Sequence, residues 1–285
     1  MLRMILFPSS YYEITKVDED MQYEYEAAVS TGLYEICLFS YDQWFHHGKL
    51  VLSDKPEKPV TAIYRGWMMK EEQYGQFFRR CRENNIHLIT RPEEYRQFHI
   101  FPNLYPMLKE DTAEIMLFPE GTEVDLDRIK ERFQRFMVKD YVKSVKGTEF
   151  PKYFDHTVTR DEFEKWMEVF YQYRGSLFTG GICIKEYLDL KKYNSKTNEY
   201  RVFYINHEIA AISRNSGQAA FVPEPPEELI VKYWKLPGSF YTIDYAELAD
   251  GSWKIMEAGD GGVSGLSEGQ DYRAFFRALY QCFQL

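Results

Sequence analysis

The chain has 285 residues, 17% of them aromatic, and a formal net charge of −9 at pH 7. This length and aromatic content predict a folded, enzyme-like protein and exclude a disordered one. The acidic balance disfavours duplex nucleic acid as a partner, because proteins that bind it carry a basic excess. The first residues form too short an apolar run for a signal peptide, and no stretch approaches the ~18 apolar residues of a membrane helix. We therefore expect a cytoplasmic protein without a membrane partner.

The N-terminal third alternates apolar strand patterns with amphipathic helix patterns. Strands are predicted at 2–7, 35–39, 60–64 and 86–89, and helices at 18–32 and 71–84. This alternation predicts a small parallel-sheet α/β domain as the first part of an α/β (α+β) fold. Ligands of such sheets bind beyond the carboxyl ends of the strands, where Ser9, Ser10 and Arg65 lie.

The middle of the chain begins with helices that we expect to be interrupted at Pro102 and Pro106. The elements predicted next are a strand at 114–118, a helix at 124–133, a strand at 135–140 and a polar loop at 141–149. A helix follows at 159–173, with Thr159 as its cap and Glu162 in the capping-box position.

From Gly181 onward strand patterns dominate. Strands are predicted at 181–188, 200–206 and 208–213, a short helix at 224–234, a hairpin at 239–266 and a closing helix at 270–283. The four cysteines lie far apart, no CxxC pair occurs, and no histidine is spaced to complete a zinc site. We expect the cysteines to be reduced and packed.

The hairpin carries the most specific chemistry of the chain. Asp250 and Gly251 join its strands, and Asp-Gly between aromatic-rich runs predicts a two-residue type I′ turn with positive φ at both residues. That turn places Asp244 directly opposite Glu257, with Cβ atoms ~4.5–5.5 Å apart. Facing acids need a cation, and Mg²⁺ is held by one or two carboxylates plus substrate phosphates. The alternative is a solvated sheet edge with two unpaired acids.

Three further segments carry charge where strands end. Lys139 ends a strand and precedes a loop with Lys143, Ser144, Lys146 and Gly147, which predicts a phosphate cradle or, alternatively, a solvated basic loop. The apolar strand GGICI ends in the sequence KEYL at 185–188, either as a ligand contact or as a simple edge pair. Arg201 and Arg214 flank a second hairpin and could clamp phosphate or carboxylate, or could be exposed surface charges.

The order of these motifs resembles the ATP-grasp superfamily. The common pattern is a strand-end lysine beside a mobile loop, an E-[EK]-[YF]-[LIV] adenine hinge and a terminal acidic hairpin. More narrowly, the chain resembles a bacterial and phage subgroup named for one arginine and two lysines. The resemblance implies a preceding α/β domain at 1–95 and an ATP-grasp domain at 96–285. The latter would divide into subdomains at about 105–180 and 181–285.

The resemblance also implies roles for individual residues. The residues implied to bind ATP are Lys109, Lys139, Lys143, Ser144, Lys146, Lys185, Glu186, Tyr187 and Leu188. Among them, Lys185 and Glu186 would contact the adenine edge, and Tyr187 and Leu188 would form the hinge. The residues implied to hold Mg²⁺ are Asp244, Glu257 and Asp260. The catalytic residues implied to face the transferred phosphate or the carboxylate are Arg65, Arg201 and Arg214.

One departure from the family pattern concerns the metal. The family's metal asparagine lies two residues after the glutamate, where this chain has Gly259. Asp260 follows, and we expect it to supply the missing oxygen from a shifted position. The glycine run at 259–265 does not match GxGxxG, so it predicts close backbone approach to a ligand and gives no support for a dinucleotide fold.

The implied activity is ATP-dependent and ADP-forming ligation of a carboxylate to an amine or thiol through an acylphosphate. Its partners would be small-molecule or peptide acids and amines, bound near Ser10, Tyr64, Arg65 and Trp67. Tyr64 and Trp67 have an equally good interpretation as packing residues. Two alternatives are a kinase-like phosphotransferase and a non-catalytic ATP-binding regulator, which Gly259 favours. A nucleic-acid-modifying ligase is a further alternative, against which the net charge argues.

Overall fold

A computed structural model of the chain describes residues 2–219 and 221–283. Its first sheet is all parallel, with the strand order β2-β1-β3-β4. The strands are β1 (Leu2–Pro8), β2 (Glu35–Phe39), β3 (Val60–Tyr64) and β4 (Ile86–Leu88). The helices α1 (Gln22–Thr31), α2 (Tyr41–Phe45) and α3 (Glu71–Glu83) connect them. The predicted parallel sheet with alternating helices is confirmed.

Two helices carry the chain out of this sheet, α4 (Pro92–His99) and α5 (Phe101–Leu108). The interruption falls at Ile100, whose backbone is extended, and neither predicted proline interrupts a helix. Pro102 lies in the first turn of α5, where the N–H that proline lacks has no intrahelical acceptor. Pro106 lies inside α5.

The second sheet is antiparallel, with the strand order β5-β8-β6-β7. Its strands are β5 (Ile115–Pro119), β6 (Arg135–Asp140), β7 (Phe154–Asp155) and β8 (Gly181–Glu186). Helices α6 (Leu126–Arg132) and α7 (Arg160–Arg174) pack on it through Ile129, Phe163 and Phe170. Because β8 hydrogen-bonds to both β5 and β6, the expected subdomain division at residue 180 cuts this sheet. We propose a division after Glu186 instead.

The third sheet is also antiparallel, with the strand order β12-β11-β13-β14. A two-residue pair precedes it, β9 (Lys192–Tyr193) and β10 (Lys196–Thr197). The sheet contains β11 (Glu199–Ile205), β12 (Glu208–Arg214), β13 (Phe240–Glu247) and β14 (Trp253–Asp260). Helix α8 (Glu227–Lys232) starts after Pro226, and α9 (Tyr272–Cys282) ends the described chain.

One core joins the first and third sheets. Phe275 and Phe276 of α9 lie in the same buried cluster as Phe7 of β1 and Phe203 of β11. The proposed N-terminal domain, residues 1–95, therefore shares its core with the end of the chain. All four cysteines are free, as expected. In the part of the chain that the structure describes, no helix has the length and apolarity needed to cross a bilayer.

The register of the hairpin β13–β14 is as predicted at the acids, although its turn is not. The bonds Leu248 N–H to Ser252 O (2.7 Å) and Gly251 N–H to Leu248 O (2.9 Å) close a three-residue turn. A type I′ turn needs positive φ at both Asp250 and Gly251. Of these two residues only Gly251 has positive φ, at 87°, so the predicted type I′ turn is wrong. This turn moves the pairing by one residue, and an irregularity at Met256 moves it back. Asp244 therefore pairs with Glu257.

Candidate functional site

Two cavities share one wall between the second and third sheets. The smaller, of about 310 Å³, lies among β6, β8, β11, β13 and β14. The larger, of about 510 Å³, extends past this wall to α4 and Met68. The residues that line both cavities are Lys139, Ser144, Lys146, Arg201, Asp244 and Glu257. We call the charged members of this set, Lys139, Lys146, Arg201, Asp244 and Glu257, the charged wall.

Three neighbouring strands place the third sheet's part of the charged wall in one row. Arg201 of β11 pairs with Asp244 of β13, which pairs with Glu257 of β14. The Arg201 guanidinium donates to both Asp244 carboxylate oxygens, at 2.7 and 2.6 Å. Lys139 Nζ of the second sheet lies 3.5 Å from Glu257 Oε1. The protein's own cations therefore already compensate the two facing acids.

Cations dominate the electrostatics around Glu257. Burial alone would raise the pKa of the Glu257 carboxyl, but the charges of Lys139, Lys146, Lys185 and Arg201 lower it to about 2. Burial, together with the charge of Lys139, lowers the pKa of Lys185 to about 8. Since cations outnumber acids here, the region is suited to a polyanion.

Lys139 and Lys185 come from neighbouring strands and are both buried. Their ammonium groups lie 5.3 and 5.1 Å from the centre of the Phe101 ring, within cation–π distance. Lys185 Nζ donates to Met256 O and lines the smaller cavity. The structure thus places Lys185 beside Lys139 in the lining of the smaller cavity, and its contact with an adenine edge stays a prediction.

The predicted phosphate loop is held at its start by a residue that sequence reasoning missed. Asp140 is fully buried, and its Oδ1 accepts from the N–H groups of Val142 (2.7 Å) and Lys143 (2.6 Å). Its Oδ2 accepts from Arg174 Nε of α7 at 2.7 Å. Lys143, Ser144 and Lys146 follow this anchor and line the larger cavity, and the predicted loop residue Gly147 has φ of 74°.

The predicted hinge residues lie beside the cavities and do not line either one. Glu186 Oε2 accepts from Glu114 N–H at 3.2 Å, and Tyr187 N–H donates to Arg135 O at 3.1 Å. The Arg135 guanidinium lies 4.1 Å from the centre of the Tyr187 ring. Leu188 follows as a half-buried residue. Their contact with adenine stays a prediction.

One predicted contact with phosphate or substrate, that of Arg65, is corrected, and those of Arg214 and Lys109 stay predictions. The Arg65 side chain is 2% exposed and donates to both carboxylate oxygens of Glu24, at 2.8 and 2.7 Å. It therefore ties β3 to α1 and is closed to substrate. Arg214 is exposed on β12 and donates to Ala219 O at 3.1 Å. Lys109 is exposed at the end of α5. None of the three lines either cavity.

Asp260 does not join the predicted metal ligands. It is 3% exposed, and its Oδ1 accepts from Gly262 N–H at 2.8 Å. Burial raises its pKa to about 7, against the lowering effects of the Gly262 N–H and the Arg65 charge. Within residues 2–219 and 221–283, no group of three His, Cys, Asp or Glu side chains could hold a metal. A metal here would rest on Asp244 and Glu257.

Part of the glycine run serves packing within the protein. A Cβ atom at Gly261 would lie 2.5 Å from the Phe240 ring, and one at Gly262 would lie 2.8 Å from Asp260 Oδ1. The expected close backbone approach is thus to the protein's own groups at these two positions. Gly259 and Gly265 do line the larger cavity.

The N-terminal substrate candidates are also corrected. Tyr64 is buried and its hydroxyl donates to Trp67 O at 2.5 Å, so the packing interpretation holds for Tyr64. Trp67 Nε1 donates to Asp18 Oδ2 at 3.2 Å. Neither of these residues nor Ser10 lines the larger cavity, whereas the neighbouring Met68 does.

Solved structures of ATP-grasp ligases resemble this chain over its whole length. The ligase PsnB, in complex with a minimal precursor, has a TM-score of 0.62 at 11% identity, covering 99% of both chains. D-alanyl-alanine synthetase A from Vibrio cholerae has a TM-score of 0.62 at 14% identity, covering 99% of this chain and 98% of its own. D-alanine–D-alanine ligase from Bacillus anthracis, in complex with ATP, has a TM-score of 0.60 at 14% identity, covering 100% and 98%. At these identities the likeness shows the fold.

A search of curated protein sequences found no match. A family model matches residues 127–279, which include β6, β7 and β8 of the second sheet, the third sheet, the charged wall and most of α9. That model describes an ATP-grasp domain, family 3 of the clade named for one arginine and two lysines. The match covers more than half of the chain and agrees with the resemblance found in the sequence. The chain therefore belongs to family 3 of this arginine-and-two-lysine clade of ATP-grasp domains.

Proposed function

We propose that this protein is an ATP-dependent, ADP-forming ligase that joins a carboxylate to an amine or thiol through an acylphosphate. The observation that carries the proposal is the charged wall, which is shared by two cavities between the second and third sheets. A reaction that passes a phosphoryl group from a nucleotide to an acid needs two such compartments in contact. Family membership and the ligase neighbours support the same chemistry.

The two cavities receive different molecules in this proposal. The smaller holds the ATP phosphates, because four cations, Lys139, Lys146, Lys185 and Arg201, line it with three acids, Glu199, Asp244 and Glu257. The adenine extends from it toward the hinge at 186–188. The larger cavity, partly lined by the apolar side chains of Phe98, Phe101 and Val263, holds the acid and its acceptor.

The acidic pair fits one kind of metal site. Mg²⁺ is usually bound by one or two carboxylates with phosphate oxygens and water completing its shell, and Asp244 and Glu257 provide such a pair. Arg201 uses some of the lone pairs of Asp244, but a carboxylate offers about four. When bound, Mg²⁺ supplies positive charge to the oxygens of the transferred phosphoryl group.

The chemistry needs positioning and charge neutralisation more than a protein nucleophile. A carboxylate oxygen of the acid attacks the γ-phosphorus of ATP, the bond to ADP breaks, and an acylphosphate forms. The amine then attacks the acyl carbon, the bond to phosphate breaks, and the amine proton is released. Lys139, Lys185 and Arg201 neutralise the negative charge, and the loop at 141–149 shields the acylphosphate from water.

The first experiment measures binding of Mg²⁺ with a non-hydrolysable ATP analogue to the wild type and to Glu257→Gln by calorimetry. We expect binding to the wild type and clear weakening in the variant, with Asp127→Asn, an exposed carboxylate 77% accessible, as the unaffected control. ATP turnover is then assayed with candidate acids and amines. Unchanged binding and turnover in Glu257→Gln would remove Glu257 from the proposed mechanism.

Product analysis separates this proposal from its alternatives. A new amide with ADP and phosphate supports ligation, whereas a stable phosphorylated acceptor without an amide supports a phosphotransferase. Gly259, which stands where the family's metal asparagine is expected, favours the non-catalytic regulator as the second candidate. Nucleotide binding without ADP release under any acceptor would support that regulator.

A further inference from the structure

We propose that Phe101 is a positioning residue that holds Lys139 and Lys185 together as the phosphate-binding pair of the smaller cavity. This proposal rests on the proposed function and deepens it, because it names the group that arranges the two lysines. Phe101 is the first residue of α5, directly after the interruption at Ile100, and its side chain is 3% exposed. It therefore reaches the two lysines from outside the sheet that carries them.

The register of the second sheet brings the two lysines close together. Lys139 of β6 pairs with Cys183 of β8, and Lys185 is the second residue after Cys183. Paired residues share a face of the sheet, and so do residues two apart on a strand, so Lys139 and Lys185 are diagonal neighbours on one face. Such neighbours lie roughly 7–8 Å apart. Two like charges at this spacing repel each other, so their ammonium groups need something that holds them in place.

The oxygens near the two ammonium groups hold them only in part. Lys139 Nζ lies 3.5 Å from Glu257 Oε1, farther than in a strong charge-assisted hydrogen bond. Lys185 Nζ donates to Met256 O. An ammonium group has three donors, so these contacts leave donors from which phosphate oxygens can accept. The pair is thus open to a polyanion but weakly held by the protein's oxygens.

The Phe101 ring lies within cation–π distance of both ammonium groups. Lys139 Nζ is 5.3 Å and Lys185 Nζ is 5.1 Å from the centre of the ring. The face of an aromatic ring carries partial negative charge, although the ring as a whole is neutral. The ring therefore stabilises both ammonium groups and leaves their positive charge available to phosphate. A carboxylate in its place would neutralise one of them.

Packing and one backbone hydrogen bond fix the position of this ring. Phe101 belongs to a buried cluster that includes Leu104 of α5 and Tyr204 of β11. Its N–H donates to Tyr141 O at 2.9 Å, and Tyr141 is the first residue of the loop at 141–149. Phe101 is thus connected to the lysines through its ring and to the loop through its main chain. A change confined to the ring leaves the bond to the loop in place.

The test replaces Phe101 alone by phenylalanines that carry one, two or three ring fluorines. Fluorine withdraws electron density from the ring face, so each step weakens the attraction for cations while the ring keeps nearly the same shape. We expect the affinity for Mg²⁺ with a non-hydrolysable ATP analogue, measured by calorimetry, to fall stepwise, by about three- to tenfold with three fluorines. The melting temperature without nucleotide should also fall stepwise, by about 2–4 °C in all. The series avoids the loss of buried volume that Phe101→Leu would cause.

Two controls separate the cation–π contact from packing. Phe136 is fully buried on β6 three residues before Lys139, so it faces the other side of the sheet, where it packs with Phe154 and Phe163. The same fluorinated residues at position 136 should leave the nucleotide affinity unchanged. In Lys185→Met, which removes one of the two cations, three fluorines at position 101 should lower the melting temperature less than in the wild type.

The outcomes distinguish failure of this proposal from failure of the proposed ligase. If the nucleotide analogue does not bind to the wild type, the proposed function fails, and the phosphate role of the two lysines fails with it. If the analogue binds equally well across the series at position 101, or if the melting temperature stays constant, Phe101 is a packing residue and only the present proposal is refuted. An equal loss of affinity in the series at position 136, or an undiminished effect in Lys185→Met, would refute it as well.

Discussion

Two clusters of charge in this protein, one buried and one partly exposed, use the same residue types in opposite ways. In the pair formed by Arg65 and Glu24, the guanidinium meets both carboxylate oxygens and a backbone carbonyl, and the cluster is closed. In the charged wall, cations outnumber acids and border two cavities. A satisfied ion pair holds elements together, whereas a cluster with excess charge awaits a ligand. Both clusters contain arginine and glutamate, so residue type does not distinguish them. Accessibility and the balance of charge do.

The largest effect on stability is expected when the closed pair of Arg65 and Glu24 is broken. Glu24→Ala leaves the Arg65 charge buried and unpaired, so the free energy of unfolding should fall by about 3–5 kcal/mol. Chemical denaturation measures this change. Glu26→Ala lies on the same helix with its side chain exposed and should change the free energy of unfolding by less than about 0.5 kcal/mol. An equal loss in both variants would contradict a structural role for the pair.

Removing a cation from the charged wall should weaken nucleotide binding and leave stability nearly unchanged. Lys139→Met removes one of several like charges, so we expect the affinity for Mg²⁺ with a non-hydrolysable ATP analogue to fall about 10- to 100-fold. The free energy of unfolding should change by less than about 1 kcal/mol, because the remaining cations still compensate Glu257. The pKa of Lys185 should rise, because the charge of Lys139 lowers it.

Calorimetry and denaturation together check this contrast. Lys165→Met, an exposed lysine on α7, is the matched control and should alter neither quantity. Full nucleotide affinity in Lys139→Met would mean that the charged wall does not bind the phosphates. A loss of stability as large as that of Glu24→Ala would mean that the two clusters do not differ as argued.

Asp140, which anchors the start of the loop at 141–149, should affect both stability and nucleotide binding. Asp140→Asn weakens the bonds to Val142 N–H, Lys143 N–H and Arg174 Nε, so stability should fall by about 1–3 kcal/mol. Because the loop carries Lys143 and Lys146, the KM for ATP should rise as well. Steady-state kinetics and thermal melting measure the two effects, with Asp161→Asn on α7 as the exposed control. A stability loss with an unchanged KM would reduce Asp140 to a purely structural residue.

The sequence predicted the residues of the charged wall better than the buried pair of Arg65 and Glu24. Lys139, Asp244 and Glu257 were found because each belongs to a local pattern, a strand-end lysine or an acidic hairpin. Arg65 was misassigned because its partner, Glu24, lies 41 residues earlier and no local pattern connects them. The link between Asp140 and Arg174 was missed for the same reason, since 34 residues separate them.

The hairpin shows that a correct register can follow from an incorrect turn. The Asp-Gly signal predicted a two-residue turn, but the bond between Leu248 and Ser252 closes a three-residue one. The irregularity at Met256 cancels this difference before Asp244 is reached. Turn chemistry is local and readable, whereas an irregularity depends on what the strand packs against. The pairing of Asp244 with Glu257 depends on both the turn and the irregularity at Met256, and only the presence of a turn could be predicted from the sequence.

The smallest expected effect concerns Asp260, which lies between the two kinds of cluster. Its pKa is raised from 3.8 to about 7, so the folded protein holds a proton there that the unfolded chain releases. Stability at this group is therefore fully present at about pH 4 and is lost as pH rises through about 7. Asp260→Asn removes this loss and should raise the free energy of unfolding by about 1 kcal/mol above pH 7, and by nothing at about pH 4. Denaturation at both pH values checks the sign. A stability gain above pH 7 would place Asp260 with the groups whose charge the protein leaves uncompensated, whereas destabilisation at high pH would place it with the closed pair of Arg65 and Glu24.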